Sequence, residues 1–204
     1  MAPMDKRTQS GFTLYELMIT LLVVGIVLSF GIPNMLAFNQ NGRMTGTAND
    51  LHAAFHLARS ESSRAKTNIT VCASSNALAA GANCQGTWDQ GFIVFVDEDG
   101  DINRSGATET VLRAHGPIAD GVNLIVEDAA TYFSYSSTGL GRPNVGGNPA
   151  VSRIVMCDER GNITAAGGRS AARLFVATPL GRATVFNTKS VITDALTDMN
   201  AACP

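Results

Sequence analysis

The segment 97–103 carries side chains of the kind that bind hard metal ions. Oxygen-bearing residues stand at alternating positions, as at the start of a calcium loop: Asp97, Asp99, Asp101 and Asn103. An EF-hand loop counted from the first of them needs glycine at its sixth position and glutamate at its twelfth. Those positions hold Ile102 and Thr108, and Glu109 comes one residue late. The sequence therefore favours an acidic hairpin turn, with calcium binding as the alternative.

Other arrangements that could carry chemistry are incomplete. His52 and His56 are four residues apart and could share a metal ion on a helix, but two ligands do not complete a site. We expect two partly solvated helix histidines. The motifs of serine hydrolases, zinc proteases, phosphate-binding loops and dinucleotide-binding folds are missing from the sequence. The sequence predicts neither an enzyme nor a cofactor.

A single carboxylate stands inside an apolar segment long enough to cross a membrane. Residues 12–32 would span about 31 Å as a helix, close to the hydrocarbon thickness of a bilayer. Glu16 is the one charged residue in the segment. A carboxylate inside a membrane segment is costly and therefore indicates a functional role. The structural alternative is that its side chain reaches the membrane interface by snorkelling. Lys6 and Arg7 precede the segment, which predicts a cytoplasmic N-terminus. Because no small-residue cleavage site follows, we expect the segment to stay as an anchor.

The sequence around this carboxylate, GFTLYEL at 11–17, resembles the leader-peptidase site of type IV pilins and of type II secretion pseudopilins. The resemblance implies a leader over residues 1–11, cut by a prepilin peptidase between Gly11 and Phe12, and N-methylation of Phe12. Glu16 would be the fifth mature residue and would pair with the N-terminal amine of a neighbouring subunit during assembly. A buried carboxylate is tolerable when it meets a cation in the same low-dielectric region.

The helix is predicted to continue beyond the apolar segment. We expect a transmembrane and assembly helix over 12–33 and an amphipathic continuation over 34–67. Pro33 would kink or melt the helix just outside the apolar core, and two glycines at 42 and 46 weaken the stretch after it. One moderately apolar face has helical spacing: Leu51, Ala54, Phe55, Ala58 and Ser62.

Residues 68–204 are predicted to form a β-rich head. Short runs of β-branched and aromatic residues alternate with Gly, Asn and Asp clusters. Strands are expected at 69–73, 92–96, 110–114, 122–127, 132–136, 152–157, 173–177 and 182–187, and a Gly- and Pro-rich loop at 138–150. No βαβ repeat is evident, which excludes a mainly parallel sheet. The predicted fold class is α+β and pilin-like: a long N-terminal helix packed on an antiparallel β-sheet head.

The four cysteines all lie in this head. If the N-terminus is cytoplasmic, a single span places the head in the oxidising periplasm, where disulfides are expected. Four cysteines allow three pairings. We favour Cys72–Cys84, which would close a local loop, and Cys157–Cys203, which would fasten the C-terminal tail to a core strand. The second pair is similar to the tail-fastening disulfide of type IV pilins.

Segments of the head are similar to the GspH/FimT group of minor pilins and pseudopilins. They lie at 84–97, 111–113, 154–157 and 181–182. Within the first, Trp88 and Phe92 are expected to be plain core residues. The resemblance implies a minor pilin whose partners are major and minor pilins, the prepilin peptidase, the inner-membrane assembly platform and, before assembly, membrane lipid. It would reside in the inner membrane with a periplasmic head, and then in a pilus or pseudopilus fibre.

Charge is segregated along a chain whose net charge of −2 excludes a uniformly basic nucleic-acid binder. Residues 89–128 hold nine acidic and two basic residues, whereas 140–204 hold seven basic and four acidic ones. Arg169, Arg173 and Arg182 could gather on one face and neutralise phosphates. Some FimT-type pilins bind DNA through a Gly-Arg-x-Arg element, but here the segment 181–184 lacks the second arginine. The sequence favours a solvated rim, or contacts with an acidic patch of a neighbouring subunit, over DNA binding.

Three alternatives to a type IV minor pilin stay open at this point. One is a GspH-like minor pseudopilin of type II protein secretion. Another is a DNA-binding protein at a pilus tip. The third is a membrane-anchored protein with no role in a fibre, which an uncut leader would indicate.

Overall fold

The computed structural model describes residues 11–105 and 108–204, without the side chains of Pro33, Ala165 and Ala166. The predicted leader, except for Gly11, lies outside the described residues. The chain divides into two compact units, Met1–Gln40 and Asn41–Pro204.

A single helix, α1 (Leu14–Ala65), spans the predicted membrane segment and its continuation. It continues through Pro33 and both glycines, so the helix does not melt there, whereas a kink at Pro33 stays a prediction. A proline removes one helical N–H, and each glycine costs about 1 kcal/mol relative to alanine. Side chains around and after the glycines are buried against the head, and this packing outweighs the weak local propensity: Met44, Thr47 and Ala48. The predicted face of the continuation is buried throughout.

The described part of the head contains twelve strands and a second helix. The strands are β1 (Asn68–Ala73), β2 (Phe92–Asp97), β3 (Val111–His115), β4 (Asn123–Val126), β5 (Tyr132–Tyr135), β6 (Gly141–Arg142), β7 (Asn144–Val145), β8 (Asn148–Pro149), β9 (Arg153–Cys157), β10 (Thr164–Ala165), β11 (Arg169–Ala177) and β12 (Ala183–Thr188). Single 3₁₀ turns follow β4 and β10, at Glu127–Ala129 and Ala166–Gly168. Helix α2 (Lys189–Asp198) ends the regular structure.

The strands form two main sheets in which every pairing is antiparallel. The first has the order β3-β2-β1-β5-β6. The second has the order β10-β11-β9-β4, and β12 pairs with β11. Strands β7 and β8 form a separate two-stranded hairpin.

The buried face of α1 packs against both sheets in one core. Phe55 lies at its centre, with ring centroids 5.3 Å from Phe133 of the first sheet and 4.6 Å from Phe175 of the second. Tyr135 and Trp88 complete the aromatic cluster around it. Trp88 is anchored because its indole N–H donates to the carbonyl of Ala130 at 2.8 Å. The expected core roles of Trp88 and Phe92 agree with their burial.

Each sheet also has a second buried face, covered by an irregular or helical segment. The outer face of the first sheet contributes Cys72, Ile93 and Phe95 to a cluster closed by the segment after β1. The outer face of the second contributes Val155, Cys157 and Leu174 to a cluster closed by α2. Both sheets are therefore middle layers, which explains why their strands are more continuously apolar than a half-exposed strand would be.

Two features of the head differ from the expectation. The loop predicted at 138–150 contains three short strands. They could not be predicted because the segment is rich in Gly and Pro, which are typical of loops. Helix α2 was not predicted at all, although its buried side chains have helical spacing: Ile192, Ala195 and Leu196. Its short length and polar surroundings make this signal weak in the sequence.

Candidate functional site

The start of α1 is organised by Thr13 and Glu16. The hydroxyl of Thr13 accepts the backbone N–H of Glu16 at 3.2 Å. A carboxylate oxygen of Glu16 accepts the backbone N–H and the hydroxyl of Thr13, each at 2.9 Å. This reciprocal arrangement is a capping box, which satisfies two backbone donors that a helix start leaves unpaired. Thr13 was not among the residues predicted from the sequence, although Thr-x-x-Glu before an apolar run is the pattern that identifies such a cap.

The apolar segment is exposed along its whole length. Every large apolar side chain from Phe12 to Ile32 is at least 44% exposed. Helix α1 is long and apolar enough to cross a membrane, judged by length and composition. An exposed apolar surface of this size marks a site of contact with a membrane or with another protein.

Two disulfides fasten the head, and they are the two pairs favoured from the sequence. Cys72 bonds Cys84 across 12 residues, and Cys157 bonds Cys203 across 46. Each ties a covering segment to a strand: Cys72 lies in β1 beneath the segment after it, and Cys157 lies in β9 beneath α2. Both bonds therefore hold an outer layer on its sheet.

The acidic segment forms the connection from β2 to β3. In the structure Glu109, which is one residue too late for the last ligand of an EF-hand loop, lies beside its carboxylates. Carboxylate oxygens of Asp97, Asp99 and Glu109 all lie within 4.8 Å of one another. They are the one group of three or more potential metal-ligating His, Cys, Asp or Glu side chains in the described ranges. Counting along a fixed template missed Glu109 because the loop is longer than an EF-hand loop.

Of the three arginines that could gather into a phosphate-binding face, Arg169 and Arg173 are near enough for their charges to interact, whereas Arg182 lies apart from them. Arg169 begins β11 and pairs with Thr188, whereas Arg182 precedes β12 at the opposite end of the hairpin. At about 3.3 Å per residue, these ends are roughly 25 Å apart. Arg173 is half-buried and its guanidinium donates to three carbonyls of its own strand, while burial lowers its pKa. The antiparallel register separates residues that the sequence alone could not place.

Gly181, beside Arg182, has a structural role. Its φ of +75° lies in the left-handed region, and a Cβ there would fall 2.2 Å from the carbonyl oxygen of Gly139. The turn of the β11–β12 hairpin thus packs closely on the turn before β6, whose Gly141 donates to the carbonyl of Pro179 at 2.9 Å. This contact joins the ends of the two sheets.

The histidine pair adopts the expected positions on α1. The Nε2 atoms of His52 and His56 lie 3.1 Å apart, and the two rings are partly or fully exposed. Burial is the main cause that lowers the pKa of His56, with the charge of His52 contributing. No third ligand from the described residues joins them.

Residues 47–181 match the family described as Type II transport protein GspH. The chain belongs to the GspH family. Residues 6–32 also match the prokaryotic N-terminal methylation motif. This GspH-family chain is thus a minor pilin or pseudopilin of the type IV pilus and type II secretion family, a class of structural subunits. Its methylation motif and apolar helix are consistent with a membrane-anchored pilin, and they indicate association with other pilins and with the prepilin peptidase.

Solved structures add a comparison of shape. Two crystal structures of the type IV minor pilin FimU from Pseudomonas aeruginosa (strain PAO1) are similar, each at 18% identity. The first gives a TM-score of 0.49 over 75% of this chain, the second 0.47 over 72%, and each alignment covers 94% of the FimU chain. Among curated proteins, no sequence matches the chain.

Proposed function

We propose that this GspH-family chain is a minor pilin, similar to FimT and FimU, that primes or joins a type IV pilus. A prepilin peptidase would cut after Gly11 and methylate Phe12. The observation that carries the proposal is a single carboxylate, Glu16, at the start of an exposed apolar helix inside a methylation motif.

The apolar surface suits two successive environments. Before assembly, the exposed side chains from Phe12 to Ile32 are covered by lipid, which holds the subunit in the inner membrane. In the fibre, the same surface packs against the corresponding helices of other subunits. Apolar contacts are non-directional, so they do not fix the register between helices by themselves.

Glu16 supplies that register through charge. In the isolated chain its carboxylate is engaged by Thr13 of its own helix start. In a fibre, the N-terminal amine of an incoming subunit offers a stronger, charged partner in a low-dielectric core. Assembly would then exchange an internal cap for an intermolecular ion pair.

Three variants separate charge from capping. Glu16→Ala removes both, Glu16→Gln keeps a side chain suited to a capping box but removes the charge, and Thr13→Ala weakens the cap while keeping the charge. We expect all three to insert into the membrane. Sheared fibres should lack both Glu16 variants and contain the Thr13→Ala subunit. Normal incorporation of Glu16→Gln would contradict the charge pairing.

The mass of the mature N-terminus tests the pathway itself. A chain beginning at methylated Phe12, only in cells that contain prepilin peptidase, is the expected result. An uncut N-terminus in both strains would make the apolar segment an ordinary anchor. The pseudopilin alternative is tested next, by asking whether incorporation requires the type IV pilus platform or the type II secretion platform.

DNA binding stays a prediction that Arg182 would carry, because this side chain is exposed at the end of its hairpin. Its test is salt-dependent binding of duplex DNA that is lost in Arg182→Ala and retained in Arg169→Ala. Equal loss in both variants would indicate a diffuse charge effect.

A further inference from the structure

Three carboxylates converge where β2 ends, and we call Asp97, Asp99 and Glu109 the acidic cluster. Asp97 is the last residue of β2 and is fully buried, while Glu109 is 2% exposed. Asp99 lies in the turn between them and is exposed. Their ligand oxygens lie within 4.8 Å of one another, so three formal negative charges share one small volume.

The positive charge near this cluster is small. Arg142 approaches one oxygen of Asp97, Oδ2, at 3.6 Å, and that oxygen also accepts the hydroxyl of Thr70 at 2.7 Å. Within residues 11–105 and 108–204, no Lys, Arg or His lies within 4 Å of a carboxylate oxygen of Asp99 or Glu109. Arg104, the nearest arginine in the loop, donates to carbonyl oxygens of Glu109 and Ala82.

A second observation points to a missing ligand. The other oxygen of Asp97, Oδ1, is buried and has no hydrogen-bond partner. The amides of Gly100 and Ile102 approach the carboxylate and favour its charged form, but no donor completes a hydrogen bond to Oδ1. A buried carboxylate oxygen left without a partner is costly in free energy, and in native proteins it usually has a protein, water or ion partner.

Burial has the expected effect on both inner carboxylates. Desolvation raises the pKa of Asp97, and it also raises the pKa of Glu109, where the charges of Asp99 and Asp97 add to the shift. A cation bound among the three neighbouring carboxylates would offset the repulsion between their charges.

We propose that the acidic cluster binds a divalent cation and that Ca²⁺ is the ion that suits it. All three ligands are hard oxygens, which hard cations prefer. Two oxygens bound to one Ca²⁺ at about 2.4 Å can be at most about 4.8 Å apart, and the ligand oxygens of the cluster lie within that limit. Mg²⁺ requires near-ideal octahedral geometry at about 2.1 Å and gives up its water reluctantly, so an irregular loop with three carboxylates suits Ca²⁺ better.

The hydrogen bonds already made by the cluster are compatible with this role. Glu109 accepts the amides of Glu98 at 3.2 Å and Ser105 at 2.7 Å, one on each oxygen. A carboxylate oxygen has two lone-pair sites, so each can still face an ion. These amides hold the carboxylate in place, and water can complete the coordination on the exposed side of Asp99.

The loop differs from an EF-hand loop at its sixth and twelfth positions. The sixth residue, Ile102, has a φ of +67°, the left-handed conformation for which that position normally requires glycine. The acidic ligand comes at the thirteenth position instead of the twelfth. The loop thus has the left-handed backbone that an EF-hand loop needs at its sixth position, but with isoleucine in place of glycine, and it is one residue longer before its acidic ligand.

Calcium-dependent unfolding of the full-length chain in detergent micelles tests the proposal. After removal of divalent ions by a chelator, millimolar CaCl₂ should raise Tm by about 3–9 °C, as expected for a site with a Kd near 10⁻⁴ M in a chain of this size. Asp99→Asn is the informative variant because the residue is exposed and asparagine keeps its volume. Glu98→Gln removes the same charge from the same loop without touching the cluster.

The outcomes are distinct and do not depend on the proposed pilus function. The calcium shift should be lost in Asp99→Asn, retained in Glu98→Gln, and larger with Ca²⁺ than with Mg²⁺. Titration calorimetry with Ca²⁺ should give one site for the unmodified chain and none for Asp99→Asn. No shift with Ca²⁺, or an equal shift in both variants, would overturn the proposal.

Discussion

At the residue scale, the most restrictive position is Gly181. Its backbone is in the left-handed region, and the space that a side chain would occupy is taken by the carbonyl oxygen of Gly139. In the sequence this glycine belongs to the short Gly-Arg element that resembles a DNA-binding motif in some FimT-type pilins. The structure shows a role for Gly181 that does not involve DNA, because a residue without a side chain allows the ends of the two sheets to come into contact.

Replacing this glycine tests the close approach. Gly181→Ala should destabilise the chain by about 1–2 kcal/mol for the left-handed conformation, and by a further increment for the contact. Gly147→Ala is the matched control, since Gly147 has a φ of +87° and nothing within 4 Å of its would-be Cβ. Denaturant unfolding of the two variants compares them. Equal losses would mean that the contact between the turns contributes nothing.

At the element scale, α1 is held on the head by the side chains on one face, with Phe55 at the centre. This face could be predicted because apolar residues recur at helical spacing. Seven of the eight predicted strands lie close to their observed bounds for similar reasons of pattern and composition, whereas the strand predicted at 173–177 begins four residues earlier, at Arg169. Helix α2 and the contacts of Glu109 could not be predicted from such patterns. The apolar spacing of α2 is weak, and Glu109 reaches Asp97 only because the loop between them has the length that brings these two residues together.

Truncating the central residue of this face should loosen α1 from both sheets. Phe55→Ala is expected to cost about 3–5 kcal/mol, the usual range for a buried aromatic side chain. His56→Ala, on the next and exposed position, should cost less than about 0.5 kcal/mol. Hydrogen exchange of the amides in 44–62 would locate the effect. Unchanged protection there in Phe55→Ala would contradict the central role of the aromatic cluster.

At the scale of the whole molecule, an ion network connects parts of the second sheet that are distant in sequence. Arg153 of β9 donates to Glu127 of the turn after β4 and, at 2.9 Å, to Asp198 at the end of α2. Ser152 also donates to Glu127. The hydrogen bonds from Arg153 are the main cause that lowers the pKa of Glu127.

This network predicts how stability depends on pH. Because the folded-state pKa of Glu127 is below its unfolded value of about 4.3, its contribution is present above that pH and is lost as pH falls through the folded-state pKa. At pH 7, Glu127→Gln should be less stable than the unmodified chain by about 1–3 kcal/mol. The difference should shrink when unfolding is measured from pH 5 down to pH 3. A difference that is constant over this range would exclude the charged pair as its source.

The two disulfides differ in the length of chain that each needs before it can close. A polypeptide is made from its N-terminus, so the Cys72–Cys84 bond becomes possible once residue 84 has reached an oxidising compartment. The Cys157–Cys203 bond must wait for residue 203, and therefore for every strand of both sheets and for α2. The outer layer over the first sheet can be linked early, whereas the layer over the second can be linked only after the residues of β12 and α2 have been made. The two bonds therefore become possible in a fixed order during synthesis, first over the first sheet and then over the second.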